Sequence, residues 1–230
     1  MNRREAILAG AALSATSLLN AKEVESRPSK VLKKSYGTIH KIKPLKFDPK
    51  TLRGVSEKVI VSHHDNNYAG AVKKLNLIQK QIAGLPVSAH PIELGALKKE
   101  ELIALNSKLL HELYFDNLGG NGKISAEMRT VLTQSFGSIE AWQADFVKTA
   151  KSLSGGSGWV ILSYIKEEQV LINQIAGDHT DSVATGTPLL VMDMYEHSYH
   201  MDYGTKAALY IDAFMQNIDW AIVAQRWKNS

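Results

Sequence analysis

The spacing of the apolar residues changes part-way along the chain, and this change constrains the fold more than any other feature. From Val55 to Ile82, and again from about Lys98 to Asn117, apolar side chains recur at the three- and four-residue intervals of an amphipathic helix. Glycines follow both segments, and the short connection between them predicts an antiparallel helical hairpin. Beyond residue 155 the pattern becomes that of short apolar strands joined by polar turns.

The second half of the chain is predicted to combine helices with a small sheet. We expect helices at about 124–134 and 138–153, strands beginning at Trp159, Val170 and Leu189, and final helices at about 205–214 and 216–227. The fold class is therefore α+β: an N-terminal antiparallel helical hairpin plus a C-terminal domain with a small three-stranded antiparallel sheet covered by helices.

The first 21 residues have the pattern of an export signal. Arg3 and Arg4 precede an apolar, alanine-rich run from Ala6 to Leu19, which is too short and too weakly apolar to span a membrane comfortably. Paired arginines before such a run resemble a twin-arginine signal. We therefore expect an exported, periplasmic protein with no stable membrane insertion after signal removal. An ordinary secretory signal or an uncleaved anchor stays open as an alternative.

Residues 22–43 are predicted to form a basic, flexible extension, because they carry many lysines and little that could be buried in a core. The formal net charge of the whole chain is only +4, a mild excess that could steer a small anion. Nucleic-acid binding calls for a denser basic stripe, so no nucleic-acid partner is expected.

The absence of cysteine restricts any metal site to histidine and carboxylate ligands. The chain has no cysteine and eight histidines. Asp193 and His197 end an apolar strand and are four residues apart, while His63 and His111 lie within the two helices of the predicted hairpin. Three imidazoles and one carboxylate suit iron, manganese or zinc. The predicted domains are the helical hairpin, residues 44–120, which carries His63 and His111, and an α/β metal-binding domain, residues 121–230, which carries Asp193 and His197.

Several segments, in order along residues 44–228, resemble the iron/manganese superoxide dismutase family. The most specific is Asp193-Met-Tyr-Glu-His-Ser-Tyr199, which is similar to the family motif D-x-W-E-H-A-Y. The other matching segments are Pro44–Asp48, Val55–Asn76, His111–Leu118, Phe136–Ser138 and Gly156–Trp159.

This resemblance implies an enzyme that converts superoxide to oxygen and hydrogen peroxide by redox cycling of one iron or manganese ion per subunit. It places the four ligand positions at His63, His111, Asp193 and His197. It also implies a homodimer, or a tetramer, in which Glu196 reaches His197 of the partner subunit.

The resemblance further implies a set of residues around the ligands. His179 is the candidate for the group that hydrogen-bonds the solvent on the metal, and is expected to be catalytic. The residues expected beside the ligands or at the subunit interface are Asn67, Tyr68, Trp159, Tyr195, Glu196, Tyr199 and His200.

Some positions depart from the family pattern. Ala71 stands where the family has a gateway tyrosine, Asn67 where it usually has histidine, and His200 where it has an interface tyrosine. We hypothesise that Asn67 and His200 form a replacement donor–acceptor pair across the dimer. Ser107 and His179 match neither the usual iron type nor the usual manganese type, so the metal stays open.

Two alternatives to an active dismutase follow from the same residues. The first is a dismutase-like metal-binding or structural protein with little or no activity. The second is a zinc hydrolase on the same ligands, with Asp178 or Glu196 as its general base.

Overall fold

The computed structural model of the protein describes residues 36–181 and 184–230. The predicted export signal at 1–21 and the first part of the predicted extension, 22–35, lie outside these described residues. Within the described ranges no helix is both long enough and apolar enough to cross a membrane.

The predicted helical hairpin is present and carries an irregular turn. Helix α1, Glu57–Ser62, leads directly into one π-helical turn, His63–Tyr68, and the chain continues as α2, Ala69–Gly84. Helix α3, Pro91–Asp116, returns along α2. A π-turn spreads its residues wider than an α-turn and is common at functional sites. Here it holds two buried side chains, those of His63 and Tyr68.

Helix α3 begins seven residues before the predicted start at Lys98. Proline occupies its first position, where the missing N–H costs nothing, and the ring of His90 accepts a hydrogen bond from the N–H of Ile92. Residues 91–96 are exposed on every side. They therefore carry no apolar stripe from which this part of the helix could be recognised.

Residues 36–43 lie along the hairpin, which differs from the flexible extension expected for this stretch. The amide of Asn76 pairs with both backbone groups of His40, at 2.8 and 2.9 Å. The ring of His40 also contacts Oε1 of Gln79 at 3.0 Å. Further along, the backbone of Lys43 donates to the hydroxyl of Tyr68 at 2.9 Å. These bonds fasten the segment to α2 and to the π-turn before it.

The second half has the expected order of helices and strands. Strands β1 (Trp159–Ile165), β2 (Val170–Ala176) and β3 (Thr187–Asp193) form an antiparallel sheet with the order β2-β1-β3. Five of the seven residues are buried in β1 and in β3, whereas β2 is more exposed. In the register of β1 and β3, Trp159 pairs with Asp193. The elements are α4 (Ala126–Phe136), α5 (Ile139–Ser152), β1 (Trp159–Ile165), β2 (Val170–Ala176), β3 (Thr187–Asp193), α6 (His200–Tyr203), α7 (Ala207–Gln216) and α8 (Trp220–Lys228).

One hydrophobic core connects the sheet, the helices around it and the hairpin. The loop after α3 is fastened to the start of α8: Gly120 donates to the carbonyl of Asn217 at 3.0 Å, and Asp219 donates to the carbonyl of Asn117 at 2.6 Å. A β-carbon at Gly120 would collide with the backbone of Ile218 and Asp219, so only glycine fits this close approach. The predicted α+β architecture is confirmed.

Candidate metal centre

Four side chains from distant parts of the chain converge on one point. His63 comes from the π-turn, His111 from α3, Asp193 from the end of β3, and His197 from the short 3-10 turn Glu196–Ser198. The Nε2 atoms of His63, His111 and His197 lie 3.1, 3.8 and 3.2 Å, respectively, from Oδ2 of Asp193. The four ligand atoms all lie within 4.8 Å of one another. These are the four residues at the ligand positions expected from the sequence.

The orientation of His111 is set by its own helix. Its Nδ1 lies 2.6 Å from the backbone carbonyl of Ser107, one turn earlier. A carbonyl can only accept, so Nδ1 carries the proton and donates it. The neutral ring therefore presents a bare Nε2, with its lone pair free to bind a cation.

Asp193 is held on three sides. Its Oδ1 accepts a hydrogen bond from the backbone N–H of Tyr195 at 2.8 Å. Its carbonyl accepts from the hydroxyl of Ser198 at 3.0 Å and from that of Tyr210 at 2.8 Å. These bonds leave Oδ2 as the carboxylate oxygen that faces the imidazoles.

The polar atoms of the four-residue cluster would be better satisfied by a bound cation than they are by one another. Both ring nitrogens of His63 and Nε2 of His111 are buried without a hydrogen-bond partner in the described protein. A buried polar group without a hydrogen bond lowers the free energy of unfolding by about 1–3 kcal/mol. A metal ion bound to Nε2 would satisfy two of these three atoms. The donor set of three nitrogens and one oxygen suits iron, manganese or zinc.

Burial and charge keep His63, His111 and Asp193 in the forms that bind metal. Burial lowers the pKa of His63, and it lowers the pKa of His111 to about 3. Burial alone would raise the pKa of Asp193, but the imidazoles of His197 and His63 hold it below its ordinary value. At neutral pH the two buried imidazoles are therefore neutral and the carboxylate is ionised.

Aromatic rings close the site on several sides. The ring of Phe115 lies 5.0 Å from that of His63, and Trp159 meets His111 edge-on at 5.1 Å. Trp159 is fully buried because it lies on the central strand of the sheet. A dry wall of this kind limits solvent access and strengthens electrostatic interactions within the site.

His179 lies in the same wall, in the loop after β2. Its ring stacks on Tyr195 with centroids 5.1 Å apart and lies 5.6 Å from Trp159. It is parallel to the ring of His111, at 6.3 Å. The hydroxyl of Tyr195 is 3.3 Å from Nδ1 of His179, whereas Nε2 is buried and has no partner within the described residues.

The other expected residues divide into buried and surface positions. Tyr68 is buried beside His111, with ring centroids 6.4 Å apart. Tyr199 is also buried, but it stacks on Tyr210, behind the carbonyl of Asp193. Of the remaining residues, Asn67 is half-buried, and Glu196 and His200 are exposed.

A buried ion cluster next to the site was not foreseen from the sequence. Glu112 accepts hydrogen bonds from Tyr68 at 2.9 Å and from Lys43 at 2.7 Å, and it pairs with Lys108 at 2.9 Å. Burial would raise the pKa of Glu112, but these partners hold it below its ordinary value. The four-residue spacing of Lys108 and Glu112 was the one signal available, and such pairs are common on exposed helices.

Comparison with known proteins decides the family. Residues 124–226 match the model of the iron/manganese superoxide dismutases, C-terminal domain. A superoxide dismutase [Fe] of Cupriavidus metallidurans is 53% identical over 190 residues, covering 82% of this chain and 96% of that protein. The chain belongs to the iron/manganese superoxide dismutase family.

More distant members of the iron/manganese superoxide dismutase family match a similar length. A superoxide dismutase [Fe] of Aquifex aeolicus is 32% identical over 202 residues, 84% of this chain and 93% of that protein. A superoxide dismutase [Mn] 1 of Halobacterium salinarum is 29% identical over 198 residues, 83% of this chain and 96% of that protein. The predicted family, the enzyme class and an iron or manganese cofactor are thereby confirmed.

Proposed function

We propose that this protein dismutates superoxide with one iron or manganese ion held by Nε2 of His63, His111 and His197 and by Oδ2 of Asp193. The observation that carries this assignment is the convergence of three imidazoles on one buried carboxylate oxygen, with Nε2 of His111 bare and without a hydrogen-bond partner in the part of the chain that the structure describes. When bound, the ion supplies a one-electron couple that takes an electron from one superoxide and returns it to the next. The surrounding residues hold the geometry, exclude water and supply protons.

Of the ligands, His197 lies nearest the surface of the single subunit. Its side chain is 27% exposed, whereas the side chains of His63 and Asp193 are fully buried. The ligand set carries one negative charge, so a divalent or trivalent cation leaves the site with net positive charge. A small anion is therefore attracted toward the site.

His179 is proposed to hold a proton near the bound substrate. Burial raises the pKa of Tyr195 to about 12, and burial lowers the pKa of His179. At neutral pH the phenol therefore keeps its proton, and we propose that it donates to Nδ1 of a neutral imidazole. The ring proton of His179 is then on Nε2, the atom that is buried without a partner among the described residues.

Iron is proposed as the ion that supports activity, because the 53% identical relative carries the name superoxide dismutase [Fe]. The test is superoxide decay by residues 22–230 loaded separately with iron, manganese or zinc, with metal content measured on the same samples. We expect fast decay with iron that His111→Ala abolishes. Stoichiometric metal without decay would contradict the activity and favour a metal-binding protein.

A homodimer is proposed through the surface beside His197. This surface includes exposed Glu196 and His200, half-buried Asn67, and Met201, whose exposed fraction is 48%. If Asn67 and His200 pair across the interface, then Asn67→Ala and His200→Ala should each weaken the dimer in sedimentation at low protein concentration, and the double variant no more than either. A monomer at all concentrations would contradict the proposal.

Export to the periplasm by a twin-arginine route is proposed from the first 21 residues of the sequence alone. Replacing Arg3 and Arg4 by lysine should leave the protein in the cytoplasmic fraction of a host that has this pathway. Export that is unchanged by the double replacement, and lost only when the general secretory pathway is blocked, would point to an ordinary signal.

A further inference from the structure

Asn106 connects the ligand-bearing helix to the loop that carries His179. Its side-chain amide donates to the backbone carbonyl of His179 at 2.9 Å. Apart from the contact between the hydroxyl of Tyr195 and Nδ1 of His179, the described part of the loop is held by local bonds. The carboxylate of Asp181 accepts from the N–H of Gly177 at 2.7 Å, and Asp178 accepts from Thr180. Within residues 36–181 and 184–230, the Asn106 amide makes the hydrogen bond that joins α3 to this loop.

Contacts with neighbouring rings fix the plane of the His179 imidazole but not its distance from the metal ligands. Trp159 meets the ring at 67° and Tyr195 stacks on it at 19°, so its plane is fixed. How far the ring reaches toward the metal ligands depends on where the loop backbone lies. The bond from Asn106 is made to the carbonyl of His179 itself, and so it acts directly on that position.

The same turn of α3 also orients a metal ligand. Ser107, the residue after Asn106, accepts the Nδ1 proton of His111 on its carbonyl at 2.6 Å. The rings of His111 and His179 are nearly parallel, with planes 16° apart. One helical turn therefore sets the position of a ligand imidazole and, through Asn106, that of the imidazole facing it.

We propose that Asn106 is a positioning residue that fixes the distance from Nε2 of His179 to the metal, and thereby sets the reduction potential and the balance of iron-supported and manganese-supported activity. The inference rests on the proposed function. Groups that surround the ligands of a metal tune its potential through hydrogen bonds, and a shift in their position changes the strength of those bonds.

Two variants remove the hydrogen bond from Asn106 to the carbonyl of His179 in different ways. Asn106→Ala deletes the amide, and Asn106→Asp keeps its size but turns an acceptor toward the carbonyl of His179. The matched control is Asn76→Ala, which also deletes an amide that donates to a backbone carbonyl at 2.9 Å, but on α2 and to His40. We expect both Asn106 variants to shift the potential of bound iron and to change the ratio of iron to manganese activity about tenfold. Asn76→Ala should alter only thermal stability.

A double-mutant cycle tests whether Asn106 acts through His179. In a His179→Ala background, Asn106→Ala should move the potential no further, because coupled residues are not additive. An equal shift in both backgrounds, or a potential unchanged by either Asn106 variant, would overturn the proposal.

A readout that needs no metal separates this inference from the proposed function. In the metal-free protein with labelled histidine, Asn106→Ala should shift the imidazole resonances of His179, whereas Asn76→Ala should not. Unchanged resonances would overturn the positioning role even if the protein proved to have no dismutase activity. Shifted resonances without activity would support positioning and count against the proposed function alone.

Discussion

The imidazole rings of His63 and His111 meet edge to face, with centroids 4.9 Å apart and planes inclined by 79°. They come from a π-turn and from an α-helix that packs beside it. Both Nε2 atoms are buried without hydrogen-bond partners in residues 36–181 and 184–230, and both lie within 4 Å of Oδ2 of Asp193. Asp193 is therefore the residue whose replacement best tests whether this geometry binds metal.

Asp193→Asn should abolish metal binding while keeping the shape of the side chain. Asparagine retains an acceptor for the N–H of Tyr195 but brings no negative charge to the three imidazoles. We expect metal content after loading and dialysis to fall at least about tenfold, with superoxide decay falling in proportion. Asp212→Asn, at an exposed position on α7, is the control and should keep full metal content. Full metal content in Asp193→Asn would contradict the ligand assignment.

The metal-free protein should lose stability as the pH falls below about 6.5. Burial lowers the pKa of His63 and lowers that of His111 to about 3, so the unfolded chain binds more protons than the folded one between these values. Folding free energy contributed by the neutral rings is complete above the unfolded pKa and is lost on acidification, at up to about 1.4 kcal/mol per pH unit for His111. Urea unfolding at pH 7.5 and 5.0 measures this loss. The difference in the free energy of unfolding between the two pH values should be smaller in His111→Gln. A urea midpoint that does not change with pH would contradict this prediction.

Glu112→Leu should strongly destabilise the protein, because it leaves buried Lys108 without a counter-charge. The two side chains are only 8% and 10% exposed. Breaking a buried ion pair costs about 3–5 kcal/mol, whereas replacing both members by apolar residues is often neutral. The double variant Glu112→Leu/Lys108→Met should therefore recover most of the loss in urea unfolding. Glu127→Leu breaks an exposed pair with Lys228 and should change stability by less than about 1 kcal/mol.

Two glycines should respond to alanine with opposite signs. Gly120→Ala places a methyl group against the backbone of Ile218 and Asp219, and overpacking of this kind costs about 1–3 kcal/mol. Gly95 lies within α3, where a β-carbon meets open space, so Gly95→Ala should stabilise the protein by about 0.5–1 kcal/mol. Thermal unfolding of the two variants beside the parent chain measures both effects, and equal shifts would show that the close approach at Gly120 is not limiting.

The sequence predicts the elements and the ligand positions of this protein better than it predicts how they are connected. His63 and Asp193 are recognisable because each lies in a motif with fixed neighbours. The bond from Asn106 to His179 joins residues 73 positions apart, and neither residue carries a local pattern that points to the other. The early start of α3 at Pro91 is hidden for a different reason, since exposed turns leave no apolar periodicity.

Apolar periodicity also does not predict the π-turn or the packing of residues 36–43 along the hairpin. Apolar spacing from Val55 to Ile82 is that of one continuous helix, and a single wider turn at His63–Tyr68 changes it too little to be detected. Residues 36–43 contain few apolar groups, and they are held instead by polar bonds such as those between His40 and Asn76. Such bonds depend on which helix is nearby, so composition alone predicts an extension.

The origin of the ligands has a consequence for the order of folding. His63 and His111 belong to the hairpin, while Asp193 and His197 follow the last strand of the sheet. Neither half alone presents all four groups, so full coordination requires the two halves to be docked. An ion held on all four then closes long loops in the chain, and long loops gain the most from such a clip. It also shifts the equilibrium toward the assembled state by mass action. Metal capture would thus mark the completion of folding, and loss of the ion would favour separation of the halves.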